Sequence, residues 1–115
     1  MPDVHVKFLG EAVTAREFVM DDLELIYQDN YEQQRALATA PPDAPPPIRW
    51  FDRIFDADMV TRKMVELSTG LSPEALQQAR PSDLRPLVDA VKEANPDFFS
   101  LLARRPSGPA TPATP

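Results

Sequence analysis

The sequence predicts an α+β, mostly helical fold: an N-terminal β-hairpin, then about four to five short-to-medium helices, with a Pro-rich connector and a disordered C-terminal tail. Three observations carry this. Val4, Val6 and Phe8 alternate with His5 and Lys7, the period-two signal of a half-buried strand. Leu and Val recur at helical spacing behind Asp, Ser and Pro residues that favour helix starts. Most of the 14 prolines gather in residues 41–47 and in the tail, where they exclude regular structure. At 115 residues the expectation is one domain. It spans 1–104: hairpin plus helix in 1–40, connector at 41–47, and a helical part at 48–104.

Along the chain, Leu9-Gly10-Glu11 supplies a turn whose glycine can take positive φ. Ala12 to Val19, rich in Val, Thr and Phe, reads as the return strand. Asp21 and Asp22 sit where a helix N-terminus welcomes negative charge. Leu23, Ile26, Tyr27 and Tyr31 continue at helical spacing, giving a helix from about Met20 to Ala38. Pro41-Pro42-Asp43-Ala44-Pro45-Pro46-Pro47 ends it and forms a stiff, polyproline-like connector.

Beyond the connector, Ile48, Trp50, Phe51, Ile54 and Phe55 make the densest aromatic cluster, with the spacing of a short helix. Asp56 or Asp58 can start the next helix, whose Val60, Met64 and Leu67 share a face and whose stop is Gly70. Ser72-Pro73-Glu74 is a cap, a first-position proline and a first-turn acid, opening a short helix to about Ala79. Ser82-Asp83-Leu84 repeats the device, with Pro86 in the first turn or so. Leu84, Leu87, Val88 and Val91 form an i, i+3, i+4, i+7 stripe. Asn95-Pro96-Asp97 breaks this helix and starts the last one. Residues 105–115 are low-complexity Pro/Thr/Ala sequence, expected to be disordered.

Composition narrows the function classes. Cysteine is absent, which removes disulfides, thiolate nucleophiles and zinc–thiolate sites. No apolar run approaches the ~20 residues of a membrane span, and Met1-Pro2-Asp3-Val4-His5 lacks a secretory n-region. A cytosolic protein with no membrane partner is expected. Of the net charge of −6, residues 1–40 hold eight acids against Lys7, Arg16 and Arg35. That excess argues against nucleic acid, whose phosphates demand Lys and Arg.

Catalysis finds no support either. Gly10, Gly70 and Gly108 lie too far apart for a phosphate-cradling loop. His5 falls on the polar side of the first strand with no nucleophile motif beside it. Asp52 and Asp56, one helical turn apart, are the nearest approach to a paired-carboxylate or metal site, but Arg49, Arg53 and Arg62 crowd them. The expectation is therefore no enzyme, no cofactor and no metal. What remains is apolar contact surface. Phe98 and Phe99 are neighbours, about 100° apart on a helix, so both cannot enter one core equally. Trp50, flanked by Arg49, is a second contact candidate.

The run LSTGLSPEALQQARPSDLRPLVDAVKEANPDFFSLLAR, with VTAREFVMDDLELI before the connector, resembles tail assembly chaperones of long-tailed bacteriophages and prophages. The resemblance implies a non-catalytic morphogenesis factor of the bacterial cytoplasm, not expected in the mature virion. Such proteins coat the long, largely helical tape measure protein, help bring major tail tube subunits to it, and then leave. Homo-oligomerisation through helix faces and a longer frameshifted product are further family traits. Helix-in-groove recognition needs exposed apolar surface. This chain's own chemistry nominates Trp50, Phe51, Phe55, Phe98, Phe99 and Leu102 for it. Two rival readings are a structural tail or head–tail joining protein and a small acidic, nucleic-acid-mimicking inhibitor or adaptor.

Overall fold

The computed structural model describes residues 3–45 and 47–104; the tail expected to be disordered lies outside them. The fold is α+β and mostly helical: a two-stranded antiparallel hairpin followed by six helices. Strands β1 (Val4–Phe8) and β2 (Glu11–Ala15) pair with Val6 opposite Val13 and Phe8 opposite Glu11. Leu9 and Gly10 between them both take positive φ, 53° and 85°, as a two-residue loop matched to the strand twist requires. Gly10 does so freely; for Leu9 the conformation costs about 1 kcal/mol or more. His5 is exposed on the outer face, its Nδ1 2.9 Å from the Thr14 hydroxyl.

The return strand stops at Ala15, short of the expected Val19, because the backbone leaves the ladder for other partners. The Arg16 N–H donates to the Ser68 carbonyl at 3.0 Å and the Phe18 N–H to Asn95 Oδ1 at 2.7 Å. Helix α1 (Met20–Ala38) follows. Asp22, at its third position, accepts from the Val19 N–H at 3.0 Å and from the Arg16 guanidinium at 2.9 Å. Burial favours the neutral acid, but these donors and the Arg16 charge outweigh it and hold the carboxyl below its ordinary range. In the connector, the Ala44 N–H donates to the Pro41 carbonyl at 3.2 Å. This part is a turn and not the expected rod.

The remaining helices are α2 (Trp50–Ile54), α3 (Arg62–Thr69), α4 (Pro73–Gln77), α5 (Pro81–Ala94) and α6 (Pro96–Arg104), with a 3₁₀ turn at Asp56–Asp58. The short helices expected after the connector and after Ser72 are present, at 50–54 and 73–77. Two starts differ from expectation in instructive ways. Asp56 and Asp58 begin only the 3₁₀ turn, and α3 is capped by Thr61, whose hydroxyl accepts from the Met64 N–H at 3.3 Å. Helix α5 begins one residue before Ser82, at Pro81, and the capping acceptor is Asp83, bonded to the Arg80 N–H at 3.1 Å. Pro86 therefore sits in the second turn. Its missing donor frees the Ser82 carbonyl on an exposed part of the helix, where water can serve it. Ser72 caps α4 as expected, accepting from the Ala75 N–H at 3.2 Å. Gly70 ends α3 at φ 77°.

Helix α5 is the hub. It packs against β1 most extensively and also against β2, α3 and α6. Leu84, Leu87, Val88, Val91 and Ala94 are buried against Phe8, Val13, Ala15, Phe55, Val60 and Val65. Asp58 joins the 3₁₀ turn to α5 through Arg85 at 2.8 Å and Lys92 at 3.2 Å. The Arg85 hydrogen bond, against the opposing effect of burial and helped by Lys92, lowers its carboxyl from 3.8 to about 2. A lowered folded-state value means stability that is complete above the unfolded value and lost as pH falls through the folded one. Asp58→Asn should thus lower the melting temperature at neutral pH, with the gap from wild type closing between pH 3.8 and about 2. A gap that stays constant through that range in acid melts refutes this role.

Candidate functional site

Helix α1 is unusual in how little of itself it buries. Asp22 and Ile26 are its only buried residues, and none of residues 30–38 is buried. Along one side it bounds an open groove of about 1040 Å³. Leu23, Ile26, Asn30, Gln33 and Leu37 repeat along that wall at alternating steps of three and four, the spacing with which one helix receives another. The stripe is apolar at its ends and carries amides in its middle. Opposite it lie Ile48, Met59, Val60, Thr61 and Met64 from the α2–α3 segment, with Phe98 and Leu102 from α6.

The groove's width is set by a charged strut. Arg49 donates to both oxygens of Asp29 on α1, through Nη1 at 3.1 Å, and through Nε to Asp52 at 2.9 Å. Asp52 in turn accepts the Arg62 N–H at 2.8 Å at the start of α3. Burial disfavours the Arg49 charge, yet Asp29 and Asp52 more than offset it and hold the guanidinium above its ordinary range. Asp52 is thus spoken for, and Asp56 is exposed in the 3₁₀ turn. Among the described residues no group of three or more His, Asp or Glu could hold a metal ion.

The six nominated contact residues divide. Phe98 and Leu102, one turn apart on α6, are half-buried and line the groove. Phe98 also meets Phe18 edge-on, with ring centroids 5.3 Å apart. Trp50 is 62% exposed but stands beside the groove, under the Arg53 guanidinium. Phe51, Phe55 and Phe99 are core residues, buried with Val60, Val88 and their neighbours. Phe51 on α2 and Phe55 at its C-terminal end meet inward at a tilt, ring centroids 4.9 Å apart, and Phe99 lies on the opposite side of α6 from the solvent. Their side chains offer no surface to a partner. Ile54, grouped with them in the sequence, is 49% exposed.

Sequence reasoning found Leu23, Ile26 and Tyr27 as a helical face but not as a groove wall. It passed over Asn30, Gln33 and Leu37. Extending the same three-and-four spacing to Leu37 would have found them. Met59 gives no such signal, since its place follows from a left-handed backbone that nothing local announces.

The chain matches no known family model, no curated protein and no solved structure. Among the described residues no helix is long and apolar enough to cross a membrane. The groove is thus the feature on which a functional reading rests.

Proposed function

We propose that this protein is a tail assembly chaperone of a long-tailed bacteriophage or prophage. It acts without catalysis in the host cytoplasm, holding helical segments of the tape measure protein in its groove until tube subunits arrive. One observation carries the reading: the C-terminal half of α1 has no buried residue while its patterned face lines an open, partly apolar groove. A helix this little packed lacks the tertiary burial from which most helical stability in proteins comes. A second helix laid along it, at the 8–10 Å typical of packed helices, would cover the stripe. The likeness of the C-terminal block to the chaperone family supplies the identity of the client.

The test is coexpression. Wild type should raise the soluble fraction of the matching tape measure protein and co-purify with it. The double variant Tyr27→Glu/Leu37→Glu changes two groove residues that are 71% and 43% exposed, so its melting temperature should stay near wild type while client solubility and co-purification are lost. A tape measure protein that stays insoluble with wild type, or is rescued equally by the variant, defeats the proposal. Finding the protein in purified virions would point to the structural reading.

A further inference from the structure

Residues 105–115 lie outside the described residues, but their sequence carries a regularity. Pro106, Pro109, Pro112 and Pro115 fall at every third position. A polyproline II helix has three residues per turn, so this spacing sets all four rings on one ridge. Between them stand only Ser, Gly, Ala and Thr, whose small side chains keep such a strand slim. Aromatic-lined grooves are the sites that take proline-rich strands of this kind.

The described chain ends beside such a groove. Arg104 closes α6, and Leu102, two residues earlier, lines the groove one turn beyond Phe98. The 11 residues that follow, at about 3.1 Å each, reach about 34 Å. The wall from Leu23 to Leu37, at about 1.5 Å per residue, is about 21 Å long. The tail is therefore long enough to run the length of the wall. The lining also suits it. Tyr27 and Phe98 supply aromatic surface, and the amides of Asn30, Gln33 and Gln34 stand at the centre of the wall. An α-helix commits its backbone carbonyls to its own N–H groups, whereas a polyproline II strand leaves them free to accept from such amides.

We propose that residues 105–115 occupy the groove of their own chain as a polyproline II strand, which a client must displace. Tethering supplies an effective concentration on the order of millimolar, enough to fill the groove through weak contacts. The tail has no large apolar side chain, so an amphipathic helix bearing Leu or Ile covers more of the apolar wall and displaces it. That exchange rests on the groove being the client site; the placement of the tail does not.

The chain has no cysteine, so Ala110→Cys gives a single attachment point for a nitroxide in mid-tail, read by NMR on the full chain without client. The backbone amide signals of Asn30, Gln33 and Thr61 should lose most of their intensity. Pro109→Gly/Pro112→Gly removes the preorganised ridge and should restore most of it. Tyr27→Glu/Leu37→Glu should do the same, with a melting temperature near wild type. Groove amides that stay sharp, or a loss that the glycine variant leaves unchanged, overturn the proposal. So does an equal loss when spin-labelled chain is mixed with isotope-labelled unmodified chain, which would give the groove to the tail of a second copy. A tail found in the groove of a chain that fails to solubilise the tape measure protein leaves the tail in place and removes only the client. A solubilised client with no loss of signal does the reverse.

Discussion

Replacing Asn95 with leucine should lower the unfolding free energy by about 3 to 5 kcal/mol. Asn95 is 1% exposed and sits where α5 gives way to α6. Its Oδ1 accepts the Phe18 N–H at 2.7 Å, and its Nδ2 donates to the Val91 carbonyl at 2.9 Å and the Arg16 carbonyl at 3.3 Å. Leucine matches its bulk but leaves the Phe18 N–H and the Val91 carbonyl buried without their partner. Each orphaned group costs about 1–3 kcal/mol. Ser68→Ala should cost only about 1 kcal/mol, because the Arg16 carbonyl that Ser68 Oγ meets at 2.8 Å keeps its bond to Asn95. Urea titrations read both, with the midpoint moving and the slope unchanged. A leucine variant within 1 kcal/mol of wild type would mean that this polar junction contributes little.

Phe55→Ala is expected to destabilise the isolated protein by a similar amount, about 3–5 kcal/mol. The ring is 2% exposed, packs at a tilt against Phe51, and supports the Arg85 guanidinium 5.1 Å from its centroid. That guanidinium also clamps Asp58, so the alanine would open a cavity and loosen the tie between the 3₁₀ turn and α5. Phe55→Leu restores most of the volume and should cost about 1.5 kcal/mol or less. Were Phe55 a contact residue, as the sequence suggests, the alanine would stay within about 0.5 kcal/mol of wild type in thermal or urea melts. It would then weaken only client binding.

Local chemistry made much of this fold readable. Gly10, the Asp21-Asp22 pair, Gly70, Ser72-Pro73 and Asn95-Pro96 each act on the backbone within a few residues, and the elements they bound are where the sequence puts them. The misread features depend on distant partners. Ser82 is a plausible cap by composition, but Pro81 and Asp83 together place the cap at Arg80, two residues earlier. Asn95 looks like a helix breaker, and only the arrival of residues 16–18 makes it a buried crosslink. The site was harder to read for the same reason. Aromatic density makes Phe51 and Phe55 candidates, and density marks a core as readily as a surface; Phe99 is a candidate only through its neighbour Phe98. The α1 wall escaped notice because Asn30 and Gln33 interrupt its apolar stripe.

The strut from Arg49 meets α1 at Asp29, midway along it. Past that point the helix is a cantilever. With none of residues 30–38 buried, deflecting this arm breaks no core contact, while the root at Asp22 and Ile26 stays clamped. If the groove holds a helix as proposed, a jaw built this way would gauge girth and pattern, not a fixed sequence. It would close on successive, imperfect turns of a long helix without rebuilding the domain each time.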